Sequence, residues 1–130
     1  MFEPVLVLDT CALLWLTSGS PDLSEDALSQ IENASIVYVS AISGWEISLK
    51  FEREQLILPL EPEEWFSLAL EKHSLTLYPL DLAVLCLANK LPPVHRDPAD
   101  RFIIASAVRE KAAVVTADEN FRKYGIKVIN

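Results

Sequence analysis

The chain has 130 residues, of which 51% are hydrophobic and 23% are charged, which is typical of one compact domain and excludes a disordered tail or a coiled coil. Its 19 acidic and 11 basic side chains give a net charge of −8. That charge argues against a protein that binds nucleic acid through a broadly basic surface. We therefore predict a single acidic domain over residues 1–130.

The sequence carries no signal for a membrane or for secretion. No apolar run approaches the ~20 residues that a bilayer-spanning helix needs. The opening stretch MFEPVLVLDT contains acids and no basic group, unlike a signal peptide. Cys11 and Cys86 lie in apolar runs, where a free thiol behaves as a small hydrophobe, and without a secretory signal we expect no disulfide. We expect a cytoplasmic protein with no membrane contact.

The first half of the chain alternates strands with helices. The continuous apolar run VLVLD predicts a strand covered on both faces, and a helix over residues 11–16 follows it. Ser24 caps a helix that is predicted to end near residue 33. The β-branched run IVYVS predicts a second strand. Helices over residues 42–54 and 61–72 follow, with prolines between them.

The second half continues the alternation. LTLYP predicts a short strand, and a helix over residues 80–89 leads to the proline-marked loop PPVHRDPADR. Then come a helix over 98–110, the strand AVVT, a short helix that contains Phe121 and Tyr124, and a last strand over 126–129. This order predicts an α/β fold with a central parallel sheet of about five strands and helices on both faces.

Four acids fall where these strands end or the next helices run. Asp9 ends the first strand, and Asp118 follows AVVT by two residues. Glu46 lies on the helix after the second strand, and Asp100 lies in the first turn of the helix after the proline loop. Ligands of open parallel α/β sheets bind outside the carboxyl ends of the strands. Because carboxylate oxygens suit hard divalent ions, the sequence predicts one metal site made of these four acids.

Structural roles for the same acids remain open. Asp9 and Asp118 could each cap the helix that follows. In the stretch DPAD, Asp97 is well placed as a helix cap with Pro98 at the first helical position. Asp100, one turn before two isoleucines, falls on the side that the helix buries, which favours a ligand or a neighbour of the ligands.

Glu46 has its own alternative, an exposed ion pair with Lys50 one helical turn away. Against it, Ile42, Trp45 and Leu49 place Glu46 within an apolar stripe at helical spacing, although Ile47 and Phe51 form another apolar side, so this stripe is not unique. An acid in such a stripe is costly unless it is paired or bound to a metal, so a functional role is favoured.

The remaining polar residues give weaker signals. His73 and His95 are interpreted as isolated, because no cluster with zinc spacing exists in the sequence. The basic side chains of the second half form either a solvated mixed-charge face or a phosphate-facing one, and both interpretations stay open. They are Lys90, His95, Arg96, Arg101, Arg109 and Lys111.

Four stretches in order, VLDTCALLW, VSAISGWEISLK, HRDPADRFIIASA and VVTADENFRKYG, resemble a PIN-domain ribonuclease of the VapC toxin type. Each stretch alone is a weak signal, whereas all four in sequence are specific and extend over essentially the whole chain. The resemblance implies a site that binds Mg²⁺ or Mn²⁺. It matches Asp9, Glu46 and Asp100 to the invariant acids of the family and Asp118 to a more variable fourth.

The resemblance also implies supporting residues and partners. Thr10 and Thr116 match hydroxyl positions beside the site, and Asp97 is an additional acid whose role is ligand or cap. Arg101 is a candidate for a phosphate contact, although in this context an arginine more often pairs with a neighbouring acid. The implied partners are an RNA substrate, a cognate antitoxin protein and a second copy of the chain in a homodimer.

The expected function is therefore that of a metal-dependent endoribonuclease, with single-stranded or looped RNA as substrate and a toxin role. The alternative is a non-catalytic PIN-like module that acts through a protein partner. A phospho-acceptor receiver domain is disfavoured because it needs paired acids at the first strand. A dehalogenase-like phosphatase is disfavoured because Asp9 is followed by Thr10 and Cys11 rather than by a second nearby Asp.

The three tryptophans, Trp15, Trp45 and Trp65, admit two interpretations, base-stacking platforms or packing in the core or at an interface. Their helical apolar context favours packing. The apolar segment over residues 45–58 is a candidate groove for an antitoxin helix.

Overall fold

Five strands form one parallel sheet in the computed structural model, which describes residues 4–130. They are β1 (Val5–Leu8), β2 (Ile36–Ser40), β3 (Thr76–Tyr78), β4 (Ala113–Val115) and β5 (Val128–Ile129). Their order across the sheet is β3-β2-β1-β4-β5, and every neighbouring pair is parallel. Buried on both faces, β1 needs the continuous apolar run that its sequence shows. The predicted parallel α/β sheet is confirmed.

Six α-helices and one 3₁₀ helix connect the strands within residues 4–130. They are α1 (Thr10–Ser18), α2 (Glu25–Asn33), α3 (Ala41–Glu52), α4 (Pro62–Lys72), α5 (Leu82–Lys90), α6 (Pro98–Glu110) and the 3₁₀ helix Glu119–Tyr124. Each predicted helix exists, with ends that differ from the prediction by no more than two residues. Among the described residues, no helix has the length and the apolar character needed to cross a membrane.

Among the described residues, apolar clusters lie on both faces of the sheet, because successive side chains of a strand point to opposite sides. Leu6 and Leu8 of β1 pack with residues of α1, α2 and α3, whereas Val7 packs with Ile103 and Ile104 of α6. The predicted covering of both faces by helices is confirmed. This packing fixes the carboxyl edge of the sheet, where α1, α3 and the segment before the 3₁₀ helix begin.

Helix α3 presents a different side to the core than its apolar pattern predicts. Ser43 and Ile47 are the fully buried residues, while Trp45 keeps 59% of its surface exposed. The predicted apolar stripe is therefore confirmed only in part, because Trp45 is exposed whereas Glu46 is half-buried, and Ile47 on the second apolar side of the helix packs into the core.

The cysteines also differ from expectation. Cys11 and Cys86 are free thiols, as predicted, but both are exposed rather than buried among apolar neighbours. Each occupies the outward side of its helix, between residues that face the core. The apolar neighbours in the sequence therefore did not indicate that both thiols lie on the solvent-exposed side of their helices.

Candidate metal centre

Asp9 lies where β1 ends and α1 begins. Its Oδ1 accepts a hydrogen bond from the amide of Ala12 at 2.8 Å, so it caps α1, and its own amide donates to the carbonyl of Val115 at 3.2 Å. Burial raises the pKa of Asp9, and the charge of Asp118 adds to the rise, while hydrogen bonds from Thr116 and Ala12 oppose it. Asp9 is therefore both a helix cap and a buried carboxylate that lies close to other acids.

Glu46 is held from the neighbouring helix. The hydroxyl of Thr10 donates to Glu46 Oε1 at 2.5 Å, and the same oxygen of Thr10 lies 2.8 Å from the hydroxyl of Ser43. Because Thr10 has one hydroxyl proton, Ser43 is the donor in the second contact. Burial raises the pKa of Glu46, with the bond from Thr10 opposing that rise. The buried pair of hydroxyls thus connects the start of α1 with α3 and fixes the Glu46 carboxylate.

Ser43 was not among the predicted site residues. It lies one turn before Glu46 on α3 and is fully buried. A signal was present in the sequence, because residues three apart on a helix share a face. Ser43, a small polar residue three positions before Glu46, therefore indicates the buried side of α3 more accurately than the apolar residues do.

Asp100 and Asp118 meet around His95. The Nε2 atom of His95 lies 2.7 Å from Asp118 Oδ2 and 3.3 Å from Asp100 Oδ2. The prediction that His95 stands alone is therefore wrong. No local pattern could have shown this, because His95 lies in an irregular loop and reaches Asp118 from 23 positions away along the chain.

The two acids of this group have opposite pKa shifts. Burial raises the pKa of Asp100 to about 7, with the charge of Asp97 as the second cause and His95 opposing. Burial also acts to raise the pKa of Asp118, but the hydrogen bond with His95 and the amide of Asn120 outweigh it, and the net shift is downward. Asp118 is thus the more readily ionised of the pair.

Thr116 lies between two of the acids. Its Oγ1 accepts from the amide of Asp118 at 3.0 Å, and its hydrogen bond with Asp9 lowers the pKa of that acid. Asp118 in turn caps the 3₁₀ helix by accepting from the amide of Asn120 at 2.9 Å. Both predicted hydroxyl positions, at Thr10 and Thr116, therefore contact carboxylates of the site.

Asp97 caps α6, because its Oδ1 accepts from the amide of Ala99 at 3.0 Å. The side chain is exposed, and its negative charge raises the pKa of both Glu46 and Asp100. The structure therefore shows the capping role. A ligand role for Asp97 stays a prediction.

Arg101 does not pair with a neighbouring acid, and its predicted phosphate contact stays a prediction. Its guanidinium donates to four backbone carbonyls at 2.6–3.1 Å, those of Ala88, Leu91, Pro92 and His95. The expected pairing with a neighbouring acid is wrong, because these carbonyls occupy the guanidinium. Arg109 pairs with Asp81 through two contacts of 2.9 Å, so this part of the second half is a mixed-charge face.

The donor set fits a divalent cation. Ligand atoms of His95, Asp100 and Asp118 lie within 4.8 Å of one another. The carboxylates also act on one another, because Asp118 raises the pKa of Asp9, and Asp9 raises that of Asp100. A bound cation would relieve this repulsion, and oxygen-rich sites are those that hard divalent ions prefer.

A parallel sheet with such a centre at its carboxyl edge defines a class of α/β domains that bind divalent metal ions. Residues 6–127 match the PIN domain family. The chain is 31% identical over 120 residues to Ribonuclease VapC22 of Mycobacterium tuberculosis (strain ATCC 25618 / H37Rv). The aligned residues make up 92% of this chain and 91% of that protein. The chain therefore belongs to the PIN-domain family, and the resemblance found in the sequence is confirmed.

Solved structures agree on the fold. The crystal structure of VapBC2 from Rickettsia felis, bound to a DNA fragment from their promoter, matches with a TM-score of 0.72 at 15% identity and covers 97% of this chain and 98% of that one. A toxin-antitoxin complex from Klebsiella pneumoniae matches with a TM-score of 0.65 at 19% identity over 96% of each chain.

Proposed function

We propose that this chain is a divalent-metal-dependent endoribonuclease that uses Mg²⁺ or Mn²⁺ to hydrolyse RNA phosphodiester bonds. The observation that carries the proposal is the group of acids at the carboxyl edge of the sheet, in a chain related over nearly its full length to a protein named as a ribonuclease. Such edges are where open parallel α/β sheets bind their ligands.

Asp9, Glu46, Asp100 and Asp118 are the proposed ligands. When bound, the ion supplies positive charge that polarises a water molecule and stabilises the negative charge that develops on the phosphate. The other residues orient these ligands. Thr10 and Ser43 hold Glu46, and Thr116 supports both Asp9 and Asp118.

The negative charge of the chain and of the site affects how RNA would bind. A chain with a net charge of −8 repels phosphate unless cations compensate the acids of the site. Substrate binding and metal binding are therefore expected to depend on each other. Single-stranded or looped RNA is the proposed substrate, because its backbone can bend toward a site at the edge of a sheet more easily than a duplex can.

We also propose an antitoxin partner, a homodimer and a toxin role in the cytoplasm. The support is the family relationship and the solved toxin-antitoxin complex that shares the fold. Exposed apolar side chains offer contact area, with Trp45 at 59% and Ile57 at 95% exposure. Ile57 borders a groove that Trp15 and Trp65 also line, in the region predicted to receive an antitoxin helix. Light scattering with and without the co-encoded protein tests both assemblies.

The test of catalysis is cleavage of defined RNA by purified protein with Mn²⁺ or Mg²⁺. We expect Asp9→Asn to fold nearly normally, because Asn caps a helix about as well as Asp, and to lose cleavage. Asp22→Asn is the matched control, since it makes the same chemical change at an exposed turn. Chelator added to the wild-type protein should abolish cleavage as well.

Full activity in Asp9→Asn would overturn the four-acid proposal. An inactive wild-type protein that binds no Mn²⁺ but still binds its partner would favour the non-catalytic module instead. Sequencing of RNA ends after induced expression identifies the RNA that is cut and the position of the cut.

A further inference from the structure

His95 lies inside the acidic site rather than beside it. Its side chain is only 15% exposed, and its Nε2 atom is 2.7 Å from Asp118 Oδ2 and 3.3 Å from Asp100 Oδ2. Two ligands at right angles around an ion with bonds of about 2.1 Å lie about 3 Å apart. Both distances are close to that spacing, so the hydrogen bond between Nε2 and Asp118 already holds this nitrogen at a separation from each acid that suits coordination of one shared ion.

The backbone of His95 is held on both sides. Its amide donates to the hydroxyl of Tyr124 at 2.7 Å, and its carbonyl accepts from Arg101 at 3.1 Å. The same tyrosine hydroxyl donates to the carbonyl of Pro92 at 2.9 Å. These bonds attach the proline loop to the 3₁₀ helix and to α6, and they determine where the imidazole lies.

The ring itself is also positioned. It packs edge-on against Phe121, a fully buried residue of the 3₁₀ helix, with ring centroids 5.6 Å apart. A ligand that is fixed before the ion binds loses little conformational entropy on binding. The contacts around His95 are of this kind.

We propose that His95 is a nitrogen ligand of the metal centre and that Arg101 is a positioning residue acting through it. This inference rests on the proposed function, because it concerns the same metal site. A centre that combines imidazole with carboxylates favours first-row transition ions over Mg²⁺, since Mg²⁺ prefers oxygen ligands and imidazole suits transition ions.

The decisive measurement is pulsed electron paramagnetic resonance on the full chain loaded with Mn²⁺. We expect the wild-type protein to show modulation from a ¹⁴N nucleus of directly bound imidazole. His95→Gln should lose that modulation, and His73→Gln should keep it, because His73 follows α4 and lies near none of the acids of the site. This readout does not depend on catalysis.

Calorimetry gives a second readout. We expect His95→Gln to weaken Co²⁺ binding by about tenfold or more, in the range found when groups around a metal are removed. Mg²⁺ binding should change much less, so the preference for Co²⁺ falls. Arg101→Lys cannot donate to four carbonyls and should also reduce the preference for Co²⁺ over Mg²⁺. Arg109→Lys should leave that preference unchanged, because Arg109 pairs with Asp81.

The outcomes separate the two proposals. A wild-type protein that binds Mn²⁺ and cleaves RNA but shows no ¹⁴N modulation overturns the role of His95 and leaves the proposed function standing. A wild-type protein that binds no Mn²⁺ overturns both. Because the first of these measurements is made on the unaltered chain, a variant that folds poorly cannot obscure it.

Discussion

At the scale of single residues, Thr10 is the residue on which Glu46 depends most. Its hydroxyl contacts both Glu46 and the buried Ser43. Thr10→Val keeps the shape and removes the hydroxyl, which leaves two polar groups without this partner. We expect a loss of about 1–3 kcal/mol in the free energy of unfolding and a clear loss of cleavage.

The control for this prediction is Thr10→Ser, which retains the hydroxyl. Denaturant unfolding and RNA cleavage should both stay close to the wild-type values in that variant. If Thr10→Val proved as stable and as active as Thr10→Ser, the hydrogen bonds to Glu46 and Ser43 would contribute neither to stability nor to cleavage.

Asp100 contributes to the pH dependence of stability when no metal is bound. Burial and the charge of Asp97 raise its pKa to about 7 in the folded protein, whereas the unfolded chain has the ordinary value of about 3.9. Between about pH 4 and pH 7 the folded state therefore holds more protons than the unfolded one. The contribution of Asp100 to the free energy of unfolding falls as the pH rises through this window.

Asp100→Asn removes that contribution. In metal-free buffer at pH 8 we expect its Tm to exceed that of the wild-type protein by about 4 °C or more, because a buried charge has been deleted. Asp9 and Glu46 have pKa shifts in the same direction, so part of the pH dependence remains. A Tm of Asp100→Asn below the wild-type value at pH 8 would contradict the destabilising role of the Asp100 charge. The control Asp22→Asn, at an exposed turn, should keep the wild-type Tm.

At the scale of elements, two substitutions at the start of α6 distinguish a role of Asp97 as a helix cap from a role as a metal ligand. Because Asn caps a helix as well as Asp does, Asp97→Asn should unfold at or slightly above the wild-type Tm, the rise coming from the lost repulsion with Glu46 and Asp100. Asp97→Ala should lose about 1 kcal/mol of capping. We expect Asp97→Asn to retain most of its cleavage, since the structure shows Asp97 as a cap. Loss of cleavage and of Mn²⁺ affinity in this stable variant would instead identify Asp97 as a ligand.

The elements also show where sequence reasoning succeeds. Helix α6 was predicted to begin where it does, because Asp97 and Pro98 give a strong start signal. Its end at Glu110 was also predicted, but the left-handed conformation of Lys111 that ends the helix was not visible in the sequence. The strand β1 was predicted because burial on both faces leaves a continuous apolar run. These signals are local, so the sequence contains them in full.

The errors come from tertiary contacts. His95 is brought to the acids by Arg101 and by Tyr124, which lies 29 positions away, and no local pattern encodes those contacts. The side of α3 that is buried depends on which neighbours receive Ser43 and Ile47, so periodicity alone could not decide between the two apolar sides of the helix. The acids were predicted to lie together because the ends of parallel strands, and the helices that follow them, share one edge of the sheet, and their role as ligands stays a prediction.

At the scale of the whole molecule, three of the four acids of the site destabilise the fold when they ionise, and all four are proposed to provide its activity. Burial and mutual repulsion raise the pKa of Asp9, Glu46 and Asp100, which means that ionising these groups opposes folding. A divalent cation that binds only the folded state reverses this effect. The stability of the molecule should therefore follow the metal concentration.

We expect Mn²⁺ at about one hundred times its Kd to stabilise the wild-type protein by about 2.7 kcal/mol, which raises the Tm by several degrees. The same ionic strength supplied as NaCl should give a smaller rise, because screening acts weakly on buried charges. Asp9→Asn should lose most of the Mn²⁺ effect and keep the NaCl effect. Equal responses to the two salts would mean that the ion acts on the overall charge of −8 and not on a site.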